Sequence, residues 1–308
     1  MPSPVLIENE QFGEALVGAL TSMVPGESFS TVLDATPPAE ALLTFAPRVE
    51  VLDRAVEMGV RWVHVLATGV DRIPLDRLRE CVVTCSRGAS AVPIAEFVLA
   101  TMLAFEKQLP QSWLHEPPEQ WNIAALGGLK GRTLGLVGLG AIGQEVAKRA
   151  LAFDMQVVAV RRHSGPSPLD GVSMIDSLPA LLETSDHVVL AAPATPETRH
   201  LFSTAQFAAM KPTAHFVNVS RGSLVDQDAL IAALDAGQLA MASLDTVEPE
   251  PLPAGHPLFV HPKVRLSAHI SWSSPDSMSR TLELFVENLR RFRAGEPLDG
   301  IVDLDAGY

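Results

Sequence analysis

The stretch TLGLVGLGAIGQEVAKRALAF, Thr133 to Phe153, decides the fold. Thr133–Val137 is a short run of apolar, strand-forming residues. It runs into Gly138-Leu139-Gly140-Ala141-Ile142-Gly143, after which Gln144–Phe153 repeats apolar residues at helical spacing. A GxGxxG pattern alone carries little information, but between a strand and a helix it has a physical meaning. Gly138 makes the tight turn, Gly140 leaves the backbone open to a pyrophosphate, and Gly143 lets helix pack on strand. The helix start then offers unpaired N–H groups to phosphate. The stretch therefore reads as the first half of a βαβ unit that holds a dinucleotide.

Around it the chain alternates strand-like and helix-like segments. Downstream, Gln156–Arg161, His187–Ala191, His215–Val219, Met241–Leu244 and Val264–Ser267 read as strands. Leu178–Glu183, Thr204–Met210 and Asp226–Ala236 read as the helices between them. Upstream, Val5–Ile7, Thr31–Leu33, Leu42–Phe45, Trp62–Leu66 and Val82–Thr84 read as strands, with a helix over Val49–Met58. Such alternation implies parallel sheets covered by helices on both faces. The two regions are joined by a helix over Pro93–Leu109, which Pro110 ends. A last helix over Pro275–Arg293, closed by Ala294-Gly295, carries the chain back to the first region. The expected fold class is α/β, with a dinucleotide domain over residues 93–275 and a smaller, discontinuous domain over residues 1–92 and 276–308.

Composition excludes several classes. A formal net charge of −13 in 308 residues, with one Tyr, argues against nucleic acid and against anionic membrane surfaces as partners. No run of apolar residues is long enough to span a bilayer, and Met1-Pro2-Ser3-Pro4 does not begin a signal peptide. Cys81 and Cys85 lie in or beside an apolar segment with no second pair, so they read as buried thiols rather than a zinc site. A reducing cytoplasm is the expected compartment, and no metal is expected.

Dinucleotide sites that take NAD usually carry Asp or Glu at the end of the second strand, where it accepts from the ribose 2′-OH. Here Gln156–Val160 is followed by Arg161-Arg162-His163-Ser164, without an acid. A guanidinium can hold a 2′-phosphate bidentately, which a carboxylate would repel. Arg161, Arg162 and Ser164 are thus read as a preference for NADP(H), with NAD(H) still possible.

Three later segments place polar residues at strand ends, where such sheets bind ligands. They are Asn218-Val219-Ser220-Arg221-Gly222, Asp245-Thr246-Val247-Glu248-Pro249-Glu250-Pro251 and Ser267-Ala268-His269-Ile270-Ser271-Trp272. Taken singly, His269 could be a satisfied buried histidine, Glu248 and Glu250 solvated loop charges, and Arg221 a turn cap. Their joint order carries more. With the Pro193–Thr198 loop, Ala67–Asp71, Pro93–Glu96 and the closing Asn288…Gly295-Glu296-Pro297-Leu298, the sequence resembles the D-isomer-specific 2-hydroxyacid dehydrogenases along nearly its whole length. His269-Ile270-Ser271-Trp272-Ser273 is similar to the NADP-dependent glyoxylate/hydroxypyruvate reductase branch.

The resemblance implies a Rossmann-type cofactor domain, a flavodoxin-like substrate domain and an active site in the cleft between them. It implies an Arg221–Glu250–His269 triad, with Glu250 preferred to Glu248 because it lies five residues after Asp245. Arg221 would clamp a substrate carboxylate and polarise the neighbouring carbonyl. His269 as imidazolium would protonate the alkoxide as hydride arrives, with Glu250 fixing its tautomer. Thr68 and Gly69 would hold the carboxylate through backbone N–H groups. Cofactor contacts would come from Gly138, Gly140, Ala141, Ile142, Gly143, Pro193, Thr198, Val219 and, on the nicotinamide carboxamide, Asp245.

The implied partners are a small 2-oxo acid such as glyoxylate or hydroxypyruvate and a second copy of the chain, with Leu109–Leu129 read either as a dimer arm or as a surface loop whose Trp113 and Trp121 belong to the core. Two departures stand out: Ala268 replaces the usual Pro, and Arg161 replaces the usual acid. Glu250, where the formate dehydrogenase branch has Gln, argues against formate oxidation. The rival readings are a dinucleotide-sensing, corepressor-like protein and a same-fold dehydrogenase of another anion such as phosphite.

Overall fold

The structure, a computed structural model, describes residues 3–8, 12–32, 38–162 and 165–308. It divides into two compact units, residues 1–90 with 274–308 and residues 91–273.

In the first unit the elements run β1 (Val5–Glu8), α1 (Gly13–Met23), β2 (Phe29–Thr31), β3 (Ala41–Thr44), α2 (Val49–Glu57), β4 (Trp62–Val65) and β5 (Val82–Cys85). The strands form a parallel sheet in the order β2-β1-β3-β4-β5, the flavodoxin-like doubly wound arrangement. Both faces are covered, so β1, β3 and β4 are buried at every position. Strand β2 begins earlier than the expected Thr31–Leu33, and Leu33 lies outside the described residues.

The second unit opens with α3 (Ala91–Glu106) and continues β6 (Thr133–Val137), α4 (Ala141–Ala152), β7 (Gln156–Val160), β8 (Val172–Met174), α5 (Leu178–Thr184) and β9 (His187–Leu190). It ends with α6 (Thr204–Ala208), β10 (His215–Asn218), α7 (Gln227–Asp235), β11 (Met241–Leu244) and β12 (Val264–Leu266). Its seven strands are all parallel, in the order β12-β11-β10-β9-β6-β7-β8. Sequence neighbours lie side by side except β8 and β9; β9 instead pairs with β6, and there the winding reverses. That switch point leaves a crevice at the carboxyl ends of the strands. On one face Ile94, Val98 and Met102 of α3 pack with Val146 and Ala150 of α4 against Leu134, Leu136 and Val189. The other face is built around Phe202, Phe207 and Phe216. Helix α4 begins at Ala141, three residues before the expected Gln144. The loop glycines tighten the turn so far that its last residues already adopt helical geometry.

The chain then returns to the first unit as α8 (Ser277–Ala294), ended by Gly295 in the left-handed conformation at φ +70°. Its face Leu282, Phe285 and Leu289 packs with Val5, Ile7, Leu20 and Trp62. The Phe285 and Trp62 rings stack at 5.5 Å.

Beneath that stack lies a closed polar chain. Trp62 Nε1 donates to Thr84 Oγ1 at 2.9 Å, so the threonine hydroxyl proton is left for His64 Nδ1 at 2.7 Å. His64 Nε2 in turn meets Ser86 Oγ at 3.2 Å, and Ser86 donates to the Val65 carbonyl. These roles assign the tautomer with the proton on Nε2 and require a neutral ring. Burial pushes the His64 pKa down to about 3.

Candidate active site

Because every strand of the second sheet points the same way, all the polar strand ends gather at one edge. Strand β6 delivers Gly138, β7 Arg161, β9 the loop 191–198, β10 Arg221, β11 Asp245 to Glu250, and β12 His269.

The glycine loop is shaped by close approach. Gly138 sits at φ +104°, and a Cβ there would lie 2.6 Å from the Ala191 carbonyl oxygen. A Cβ on Gly143 would lie 2.3 Å from the Gly138 carbonyl oxygen. Gly140 differs, since a Cβ there would meet nothing within 4 Å. It caps α4 without a side-chain hydrogen bond, so no side chain at this position covers the N–H groups of the first turn at Ala141 and Ile142. This is the cradle a pyrophosphate fits.

At the end of β7, Arg161 donates from Nη2 to the Pro166 carbonyl at 2.9 Å, while its buried Nε has no hydrogen-bond partner among the described residues. Two guanidinium groups, Arg161 and Arg162, thus stand where an acid would face the ribose, and a guanidinium fits an anionic group there. Arg162 is exposed. The Thr195 hydroxyl, and last the Arg162 charge, hold the Glu197 carboxyl below its usual range. Arg162 thus stands within the field of the 193–198 loop, where Thr198 Oγ1 donates to the Pro193 carbonyl at 2.8 Å. Ser164 lies outside the described residues. Val219 is buried in the apolar core of this unit.

Arg221 follows β10 in extended conformation. Asn218 fixes this corner by accepting from Ser220 N and donating to the Arg221 carbonyl, both at 3.0 Å. A Cβ on Gly222 would stand 2.0 Å from the Val247 carbonyl carbon, so glycine alone lets the Arg221 segment approach the segment after β11. Within that segment Glu248 pairs with Arg199 at 3.1 Å and its backbone is bracketed by Gln227. Glu250 instead reaches His269, with Oε2 to Nδ1 at 3.0 Å, and its other oxygen accepts from Val247 N.

The loop of His269 hangs on Asp245, which is 2% exposed. Asp245 Oδ1 accepts from Ser267 Oγ at 2.6 Å and Ile270 N at 3.0 Å, and Oδ2 accepts from Ser271 N at 2.9 Å. The Asp245 carbonyl accepts from His269 N at 2.8 Å. With Nδ1 committed to Glu250, His269 Nε2 has no protein partner among the described residues.

The structure therefore brings Arg221, Asp245, Glu250 and His269 to the strand ends that also carry the glycine loop. Thr68 and Gly69 lie in the first unit, on the loop after β4, where Thr68 Oγ1 donates to the Ser86 carbonyl at 3.3 Å. Sequence reasoning missed Asn218 and the loop-holding role of Asp245. Asn218, a polar residue closing the apolar run of β10, was the available signal.

A model of the family described as D-isomer specific 2-hydroxyacid dehydrogenase, NAD binding domain, matches residues 99–271. The chain belongs to the D-isomer-specific 2-hydroxyacid dehydrogenases. It is 34% identical to a glyoxylate reductase of Korarchaeum cryptofilum over 95% of this chain and 83% of that one. A D-3-phosphoglycerate dehydrogenase of Methanocaldococcus jannaschii is 31% identical over 83% of this chain, which spans about half (49%) of that longer protein. Among solved structures, a D-isomer-specific 2-hydroxyacid dehydrogenase of Xanthobacter autotrophicus Py2 in complex with NADPH and MES superposes with a TM-score of 0.88. It shares 29% identity and the match covers all of both chains. For this dehydrogenase, the family's NAD-binding domain falls on the unit that holds the glycine cradle. No helix among the described residues is long and apolar enough to cross a membrane.

Proposed function

We propose that the chain reduces a small 2-oxo acid, of the glyoxylate or hydroxypyruvate type, to the (R)-2-hydroxy acid and prefers NADPH. The observation that carries the reading is the His269–Glu250 pair, which commits one ring nitrogen to a carboxylate and leaves the other for a substrate. A bound nicotinamide dinucleotide supplies hydride to the carbonyl carbon. Arg221 holds the substrate carboxylate and draws electron density toward the carbonyl oxygen. As that oxygen becomes an alkoxide, the proton on His269 Nε2 passes to it. The ring is left neutral and regains a proton from solvent. Glu250 holds the ring orientation before and after the proton leaves. In this reading the backbone N–H groups of Thr68 and Gly69 are further carboxylate holders, and the first unit is the substrate domain. Asp245, already accepting three bonds, retains lone-pair capacity for a carboxamide donor.

Arg161, Arg162 and the missing acid after β7 support the NADPH preference. A panel of 2-oxo acids assayed with NADPH and NADH in parallel tests both halves of the reading. We expect turnover on at least one two- or three-carbon 2-oxo acid, with kcat/KM about tenfold higher for NADPH. Faster rates with NADH throughout would reject the Arg161 assignment.

We also propose a homodimer. Trp113, Leu114, Trp121, Ile123 and Leu126 stand exposed in one stretch after α3, up to 76% at Ile123, apolar side chains that a second copy would cover. Sedimentation velocity should give twice the 33.0 kDa chain mass. A monomer at micromolar concentration would reject the dimer.

A further inference from the structure

We infer that Trp272 is a positioning residue that holds the backbone of His269, and through it the imidazole, in register with Glu250. The inference rests on the proposed role of His269 as proton donor. His269 sits at φ +55°, in the left-handed region. A non-glycine residue there costs free energy and persists only where its surroundings over-determine it.

The surroundings here can be enumerated. The two peptide planes that flank the His269 Cα set its φ and ψ. The plane before it is tied at its N–H, which donates to the Asp245 carbonyl at 2.8 Å. The plane after it is tied at both ends. Ile270 N donates to Asp245 Oδ1 at 3.0 Å, and the His269 carbonyl accepts from the indole Nε1 of Trp272 at 2.9 Å.

Asp245 therefore supplies the pins on the donor side of the loop, and the Trp272 indole supplies the pin on the acceptor side. An indole nitrogen is a donor only, and a rigid bicyclic ring holds it with little rotamer freedom. Trp272 is 44% exposed, so core filling does not account for a tryptophan here. Without the indole N–H the plane after His269 keeps a single tie and can turn about it. The imidazole then swings away from Glu250, and the proton on Nε2 loses its aim.

Trp272→Phe keeps an aromatic ring and removes the N–H, and Trp272→Leu removes both. For 2-oxo acid reduction with NADPH, kcat should fall about tenfold in either variant, because a small misplacement of a reacting group is costly. KM for the 2-oxo acid, NADPH affinity and Tm should stay near wild type.

A second readout is independent of turnover. In ¹⁵N-histidine NMR of the protein without cofactor, the hydrogen-bonded Nδ1 signal, assigned by its loss in His269→Asn, should shift toward an unpaired imidazole in Trp272→Phe. An unchanged Nδ1 signal in that variant overturns the inference whatever the activity. Retained kcat in Trp272→Phe with loss only in Trp272→Leu also overturns it, because the ring rather than the N–H would then matter. If the wild type turns over no 2-oxo acid, the functional reading fails while the NMR comparison still decides Trp272.

Discussion

His269→Asn should lower kcat for 2-oxo acid reduction by about a thousandfold, within the range general acid catalysis supplies. NADPH affinity should stay within a factor of about three. The two effects separate because the histidine lies on the loop after β12, whereas the pyrophosphate cradle is built by Gly138 to Gly143 between β6 and α4. Asparagine is the better probe than alanine. Position 269 sits at φ +55°, where asparagine is several-fold enriched and alanine is not, so the variant removes the acid without straining the loop. His269→Ala would lose additional stability, read as a lower Tm. Turnover within a factor of about three of wild type in His269→Asn would show that the proton comes from elsewhere.

Acidification from pH 7 to pH 5 should destabilise the first unit through His64. Unfolded, this histidine binds its proton with a pKa near 6.5, and folded only near pH 3. Between those values the unfolded state carries the extra proton. Stability is therefore fully present above pH 6.5 and drains away as pH falls toward 3. At pH 5 the loss from this one group is about 2 kcal/mol. A reporter is built in. Trp62 is fully buried and bonded to the same threonine, while Trp113, Trp121 and Trp272 are all exposed. With Trp113 and Trp121, which the proposed dimer would cover, replaced by Phe, the shift in tryptophan emission on unfolding follows Trp62 above all. His64→Gln, neutral at every pH, should be less stable at pH 7 but lose less on acidification. Equal losses in the two proteins would assign the acid sensitivity elsewhere.

The second unit bends the same way. Burial, then His187 and Arg265, push His215 well below its ordinary range. Burial would raise Glu106, but the His187 hydrogen bond and the His187 and Arg132 charges hold it low.

The parallel sheets were legible because strands buried on both faces leave long apolar runs, such as Leu134–Val137 and His187–Leu190. Glycine, which has little else to do at a strand end, marks the turn between β6 and α4. Short elements carried too little pattern. Helix α1 buries only Leu16 and Leu20 with Gly13 among Ser, Thr and Gly residues, and β8 is three residues long. Among the site residues, spacing after Asp245 singled out Glu250, and it is Glu250 rather than Glu248 that meets the imidazole. The support beneath them was not legible, because it depends on which strands neighbour each other. Thr84 faces His64 only through the β4–β5 register, and Asp245 reaches Ile270 and Ser271 only because β11 pairs with β12. One-dimensional spacing does not contain those pairings.

The return of α8 to the first unit has a consequence for synthesis on the ribosome. Val5, Ile7, Leu20 and Trp62 wait for Leu282, Phe285 and Leu289 to cover them, and nearly two hundred residues are made in between. At about 5–20 residues per second that interval is roughly 10–40 s. The second unit is continuous, so it can close as it emerges. The first must keep one face of β1, β3 and β4 unsatisfied throughout. A nascent chain stalled before α8 would expose that face, and this is the period in which the protein most depends on chaperones.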